Sequence, residues 1–198
     1  MGLSTLRVGQ PHFFTIFVEK KYNDMRLLIN LILMATMLLS GCGAIQEVLP
    51  TYEESSIVAV GDKAPDFTAT TIKGESITLS ELDNEATLLV LFSHTCPDCK
   101  ALFDDLMLYK SDIDAMGARV IAISRGGTKS EITEYMERNG YDFDAVADSN
   151  KEIYYQYATA YVPRTYLIDK DGFVVNTTIE YKSEHLPQIV ALIEALVK

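Results

Sequence analysis

The sequence predicts an α/β domain with a central mixed β-sheet, helices on both faces and an extra hairpin at its amino-terminal side. Three observations predict this fold class. Residues 87–92 form a nearly uninterrupted apolar run, which is typical of a strand covered on both faces. Stretches with helical spacing of apolar residues alternate with shorter apolar runs, as in strand–helix–strand units. A turn signal at residues 169–172 then joins two strand-like segments, which indicates an antiparallel hairpin.

Each element can be justified in chain order. Alternating polar and apolar residues on both sides of Lys73-Gly74 predict a short hairpin from residues 66–70 and 76–79. After the buried run, apolar residues at helical spacing predict a helix over residues 100–116 that stops at Gly117. The remaining predicted elements are strand 119–124, helix 129–139, a short strand 145–148, a helical turn over 151–157, strands 164–169 and 173–179, and a closing helix 183–198.

Length and composition indicate one folded domain with an extension. The 198 residues leave room for a domain of ordinary size, and a content of 48% hydrophobic and 23% charged residues is typical of a folded chain. The formal net charge is −11, and an acidic surface repels phosphate backbones. Nucleic acid is therefore not an expected partner.

The amino-terminal segment has the pattern of a lipoprotein signal. An uncharged stretch over residues 27–39 follows Arg26 and has the length of a signal-peptide apolar region, short for a membrane span. It ends at Leu39-Ser40-Gly41-Cys42, which resembles a bacterial lipobox. Residues 1–41 would then be removed, and Cys42 would carry lipid that anchors the protein in the cell envelope, facing the periplasm or the outside. A single apolar helical anchor is the alternative.

Two boundaries follow from this interpretation. Met25-Arg26 already supplies an initiator and a positive charge, which predicts that translation starts at Met25, although a long charged region over residues 10–24 is the alternative. Residues 42–57 have little periodicity and are interpreted as the lipidated cysteine and a flexible tether. The predicted folded domain spans residues 58–198.

The segment Cys96-Pro97-Asp98-Cys99 carries the chemistry. Two thiols at this spacing, placed after a buried strand and at the start of a helix, indicate a redox dithiol. A helix amino terminus stabilises a thiolate at Cys96, and Pro97 suits the first helical position, where no amide donor is needed. Cys99 lies within the first turn, close enough to attack a mixed disulfide formed at Cys96.

These features and the segment 161–172 together resemble thioredoxin-fold proteins. The order of elements, the CxxC and the Val-Pro-x-Thr-x-Leu-Ile-Asp-x-Asp-Gly pattern are similar to the membrane-tethered TlpA/ResA-like, AhpC/TSA-related thiol–disulfide oxidoreductases, over residues 60–198. The resemblance implies a three-layer fold, Cys96 as the attacking thiol, Cys99 as the resolving thiol, and a cis bond between Val162 and Pro163. It implies a reversible Cys96–Cys99 disulfide, no cofactor, and protein disulfides with a membrane electron donor as partners.

The sequence departs from the family pattern around the dithiol. Thr95 stands where tryptophan usually precedes the first cysteine, and Val90 stands where thioredoxin has a buried acid. The aromatic contact surface and the proton acceptor are therefore both missing. The negative charge of Asp98 favours a neutral thiol, which predicts a reductase and not a strong oxidant.

Several neighbouring residues are weaker candidates. His94 is interpreted as an exposed loop residue, with activation of Cys96 as the alternative. Arg125 is expected to be solvated, with an approach to the site as the alternative. One group of tyrosines is expected to pack in the core, with the substrate groove beside Pro163 as the alternative; its members are Tyr154, Tyr155, Tyr157 and Tyr161.

Three other functions use the same residues. A metal-delivery protein would use both thiols and a histidine, but no closed metal site is expected because too few ligands lie nearby. A peroxidase would use Ser93, three residues before Cys96, yet Leu89 replaces the proline of that motif. A non-catalytic envelope-binding module is the third class. The sequence does not distinguish apocytochrome c, a misfolded envelope protein and a partner redox enzyme as the client.

Overall fold

A computed structural model describes residues 49–198, together with Met25 and residues 27–30. The chain divides into two compact units at Val48, and every element below belongs to the unit that spans Leu49–Lys198. Cys42 and most of the predicted signal segment lie outside the described residues. Within the described part, none of the helices is both long and apolar enough to span a bilayer.

The core of this unit is a mixed sheet of five strands. β3 (Ala86–Phe92) lies at its centre, every residue of it is buried, and it pairs in parallel with β4 (Ala118–Arg125). On its other side β3 pairs antiparallel with β6 (Arg164–Asp169). The outer strands are β5 (Asp144–Asp148), parallel to β4, and β7 (Val174–Ile179), antiparallel to β6. The predicted mixed sheet and the central position of the apolar run are confirmed.

The additional hairpin is present as a separate small sheet. β1 (Thr68–Thr70) and β2 (Ser76–Thr78) pair antiparallel, with Ala69 opposite Ile77. Gly74 adopts a φ of +95° in the connecting turn, a conformation that L side chains rarely adopt. A 3₁₀ turn, Leu79–Glu81, leads from the hairpin towards β3. The hairpin predicted from alternation is confirmed.

Helices cover both faces of the sheet. α1 (Pro97–Ala115), α2 (Lys129–Asn139) and α4 (His185–Leu196) pack on one face against the even-numbered residues of β3. The one-turn helix α3 (Tyr154–Tyr157) and the hairpin pack on the other face, against Leu89 and Leu91. Because side chains alternate along a strand, each face of β3 supplies a separate apolar cluster. This arrangement gives the three layers that the resemblance implied.

The folded part begins earlier than the predicted residue 58. Ser55 is fully buried, its backbone carbonyl accepts a hydrogen bond from Thr159 N, and Ile57 N donates to Tyr157 O. The segment 50–57, here called the strap, is therefore packed on the domain, so the prediction of a tether reaching residue 57 is wrong. The partners of the strap lie about a hundred residues away in the chain, so local sequence patterns do not reveal its packing.

Candidate active site

The CxxC lies where β3 ends and α1 begins. Cys96 is the N-cap of α1, with extended backbone angles (φ −91°, ψ 120°), and its Sγ accepts a hydrogen bond from Cys99 N at 3.4 Å. Pro97 occupies the start of the helix, where its missing amide hydrogen costs nothing. The first turn therefore directs an amide donor at the sulfur of Cys96, an arrangement that stabilises a thiolate.

The two thiols differ sharply in exposure. Cys96 is partly exposed, whereas Cys99 is fully buried. Ser93 N donates a hydrogen bond to Cys99 Sγ at 3.4 Å. Burial raises the pKa of Cys99 far above that of an ordinary thiol, and the neighbouring charges of Cys96 and exposed Asp98 raise it further. An incoming disulfide can thus reach Cys96, while Cys99 stays a neutral thiol in the apolar interior.

The loop before β6 faces this dithiol. The Val162–Pro163 peptide bond is cis, as the resemblance implied. Val162 O lies 3.7 Å from Cys96 Sγ and accepts a hydrogen bond from the thiol. Val162 is half-buried and Pro163 is buried. Sheet pairing between β3 and β6 brings together two segments 66 residues apart in the chain.

Aromatic hydroxyl groups hold the residue before Val162. Tyr161 has a φ of +67°, and its carbonyl accepts a hydrogen bond from Tyr154 Oη at 3.0 Å. Its own hydroxyl donates to Pro50 O at 2.6 Å, and its ring meets Tyr52 edge-on with centroids 4.8 Å apart. The strap therefore supports the cis-proline loop directly.

A buried arginine links the strap to β6. Arg164 is 1% exposed; Nε donates to Ala160 O at 2.9 Å, and the two terminal nitrogens donate to Ser56 Oγ at 2.8 Å and Ser55 Oγ at 2.5 Å. All three acceptors are neutral oxygens. Sequence reasoning passed over Arg164, although a charged residue at the start of a strand with the apolar centre Tyr166-Leu167-Ile168 was a usable signal.

His94 and Arg125 are less exposed than predicted. His94 is half-buried, its ring centroid lies 6.4 Å from that of Tyr135, and it packs against Gly127. The Arg125 guanidinium lies 4.8 Å above the Tyr154 ring, an attractive cation–π contact. Both expectations of simple solvation are wrong, because Gly127 in the loop after β4 packs against His94, and Tyr154 of α3 packs against Arg125.

The tyrosine group divides between core and surface. Tyr154 and Tyr157 are fully buried on the face of the sheet opposite α1, as the packing expectation required. Tyr155 is 48% exposed, and Tyr161 is half-buried beside the cis-proline loop. Tyr161 therefore lies near Pro163, where the alternative placed it, while Tyr154 and Tyr157 pack in the core as expected.

The geometry gives little support to the metal and peroxidase alternatives. No cluster of three or more histidine, cysteine, aspartate or glutamate side chains converges within the described residues. The Ser93 hydroxyl pairs with Thr95 Oγ1 at 3.0 Å, so its hydrogen bond is directed along the loop and not at Cys96. What the site offers chemically is an accessible thiol, a hidden partner thiol and a carbonyl beside them.

A mixed sheet with an N-capping cysteine, a second cysteine one turn on and a facing cis-proline defines a thioredoxin-fold thiol–disulfide oxidoreductase. The chain belongs to the AhpC/TSA family, whose model matches residues 60–177.

Curated relatives agree with this class. The chain is 29% identical over 123 residues to the thiol-disulfide oxidoreductase ResA of Geobacillus kaustophilus, covering 62% of this chain and 71% of that protein. It is 25% identical over 129 residues to ResA of Bacillus subtilis, covering 65% and 72%.

Solved structures share the fold. A putative protein disulfide isomerase from Bacteroides thetaiotaomicron superposes with a TM-score of 0.68 at 26% identity, covering 72% of this chain and 92% of that one. A putative thiol:disulfide interchange protein DsbE from Chlorobium tepidum superposes with a TM-score of 0.65 at 20% identity, covering 71% and 99%. This protein is accordingly a thiol–disulfide oxidoreductase.

Proposed function

We propose that this protein reduces disulfides of envelope proteins through Cys96 and Cys99 while held at a membrane by lipid on Cys42. The observation that carries the proposal is the unequal burial of the two thiols: Cys96 is reachable and capped by an amide donor, and Cys99 is hidden directly beneath it. An attacking and a resolving thiol require this difference.

The reaction proceeds in two exchanges. The Cys96 thiolate attacks one sulfur of a client disulfide; a Cys96–client bond forms, the client disulfide breaks, and the released client thiolate takes a proton from water. Cys99 then loses its proton and attacks Cys96 Sγ. The Cys96–Cys99 disulfide forms, the Cys96–client bond breaks, and the second client thiolate is protonated. The client gains two electrons and the protein loses two.

The electrostatics favour the reducing direction. Burial and the charge of Asp98 both raise the pKa of Cys99, so its thiolate is poorly stabilised in the dithiol form. A dithiol that resists ionisation gives up its electrons more readily. We expect a Cys96–Cys99 potential nearer to thioredoxin, at about −270 mV, than to a strong oxidant at about −120 mV. Equilibration with glutathione or dithiothreitol buffers measures it, and a value near −120 mV contradicts this direction.

Membrane attachment is the second part of the proposal. Only residues 43–48 separate Cys42 from the unit that starts at Leu49, so a lipid on Cys42 would keep the domain within roughly 20–25 Å of the bilayer surface. A membrane electron donor is then a suitable source of reducing equivalents. Labelling with radioactive fatty acid tests this; Cys42→Ser is expected to abolish labelling and to leave residues 1–41 attached, which a larger mass reveals. Retention of a labelled Cys42→Ser variant contradicts the lipid site.

The client is identified by trapping. With Cys99→Ser, the mixed disulfide at Cys96 cannot be resolved, so client proteins should accumulate on Cys96 and be released by a reductant. The matched control, Cys96→Ser with Cys99→Ser, should capture none. Apocytochrome c among the captured proteins would indicate a role in cytochrome c maturation. A Cys99→Ser variant that captures no protein contradicts the exchange mechanism.

A further inference from the structure

Cys99 must lose a proton before it can attack, yet its surroundings are apolar. Val90, at the position where the resemblance leads one to expect an acid, is fully buried and apolar. The Ser93 amide is the one hydrogen-bond donor to Cys99 Sγ within the residues that the structure describes. Burial raises the pKa of Cys99, so a thiolate formed there needs a further donor.

Tyr135 on α2 has a hydroxyl group of the required kind. The residue is 4% exposed and belongs to the same apolar cluster as Cys99. Its hydroxyl is buried near that of Tyr141 but makes no hydrogen bond of normal geometry in the described part of the chain. The other buried phenol of this cluster, Tyr141, donates to Asp104 Oδ1 at 2.5 Å. A buried hydroxyl without a partner is costly, so its presence calls for a function.

The ring of Tyr135 lies beside the loop that covers Cys99. It stacks on Phe92, with centroids 6.0 Å apart and an interplanar angle of 25°, and approaches His94 at 6.4 Å. Phe92 and His94 flank Ser93, whose amide donates a hydrogen bond to Cys99 Sγ. The Tyr135 ring therefore lies beside the side chains of the two residues that flank this donor.

The charges around this pair keep the phenol protonated. Burial, followed by the charges of Cys99 and Asp104, raises the pKa of Tyr135 to about 12, although the nearby Tyr141 hydroxyl opposes the shift. Asp98 and Cys96 act on Cys99 from α1, and His94 faces Tyr135 from the loop. At neutral pH Tyr135 is thus a hydrogen-bond donor and not a base.

We infer, building on the proposed function, that the Tyr135 hydroxyl turns to donate a hydrogen bond to the Cys99 thiolate as Cys99 resolves the mixed disulfide. Tyr135 keeps its own proton throughout. The Cys99 proton passes to solvent, the Cys96–Cys99 bond forms, and the departing client thiolate takes up a proton. Tyr135 and Ser93 N together stabilise the Cys99 thiolate as hydrogen-bond donors, and the proton goes to solvent because no buried acid among the described residues accepts it.

The aromatic disulfide DTNB separates the two exchanges in time. In full-length Cys42→Ser protein in detergent, attack by Cys96 releases one coloured thiol, and resolution by Cys99 releases a second. Tyr135→Phe should leave the first phase unchanged and slow the second about tenfold at neutral pH, because a hydrogen bond to a charged group is lost. The second phase should also need a higher pH to reach its maximum. The melting temperature should fall less than in the control below, because the Tyr135 hydroxyl makes no hydrogen bond of normal geometry.

Tyr157→Phe is the matched control. Its hydroxyl is buried on the other face of the sheet and donates to Pro65 O at 2.6 Å. This control should lower the melting temperature and leave both phases unchanged. Both phases at wild-type rates in Tyr135→Phe, or both slowed equally, overturn the role of Tyr135 alone. A parent Cys42→Ser protein that shows no second phase overturns the proposed function itself.

Discussion

The buried Arg164 allows a quantitative test of how the strap is held to the domain. Ser55 is fully buried, and its Oγ accepts from Arg164 at 2.5 Å and donates to Tyr52 O at 2.8 Å. Ser55→Ala removes both bonds. The bond to the guanidinium contributes about 1.5–3 kcal/mol and the neutral bond about 1 kcal/mol. We expect Ser55→Ala to lower the free energy of unfolding by about 3 kcal/mol.

A double-mutant cycle isolates the charged contact. In an Arg164→Met background no guanidinium is left unpaired, so Ser55→Ala should cost only about 1 kcal/mol. The coupling energy of about 2 kcal/mol is measured by urea unfolding of the four variants. Ser149→Ala is the control: its exposed Oγ donates to Gly127 O at 2.6 Å, and its loss should cost less than about 1 kcal/mol. Equal costs of Ser55→Ala in both backgrounds would refute the argument.

Three further predictions concern the dithiol and the helix that carries Tyr135. The pKa of Cys99 is raised in the folded state, so the thiol ionises at a lower pH in the unfolded chain than in the folded one. The free energy of unfolding should therefore fall by about 1.4 kcal/mol per pH unit above about pH 8.5. Urea unfolding measures this slope, and Cys99→Ala should remove it. Asp98→Asn should make the Cys96–Cys99 reduction potential less reducing, by no more than about 20 mV at low salt because Asp98 is exposed. A more reducing potential in this variant would contradict the view that the charge of Asp98 disfavours the thiolate. Thr128→Ala removes the capping box that Thr128 forms with Glu131 and should lower the free energy of unfolding by about 1 kcal/mol. Thermal unfolding measures this loss, and an unchanged melting temperature would show that the cap is dispensable.

Local pattern was sufficient for the elements themselves. The helix Lys129–Asn139 and the strand Arg164–Asp169 have the predicted bounds, and the helix α1 starts three residues earlier than predicted, at Pro97. These successes have one cause. Helical spacing, capping residues and apolar runs depend only on residues that are close in the chain, so the local sequence is sufficient to predict these elements.

The burial of individual polar residues was not predictable in this way. His94 and Arg125 were expected to be solvated, and the strap was expected to be a free tether. In each case the partner lies on another element or on the far side of the sheet. A residue of polar type gives no local signal when a distant aromatic ring or guanidinium covers it.

The Cys96-Pro97-Asp98-Cys99 segment shows the same division at the site. The sequence by itself determined that two thiols lie at the start of a helix after a buried strand, because spacing and Pro97 act locally. Only the tertiary structure decided that Cys96 is reachable and Cys99 is hidden, and that Val162 faces Cys96. Those properties depend on sheet order, which brings β6 beside β3 and so joins atoms of residues 66 positions apart in the chain.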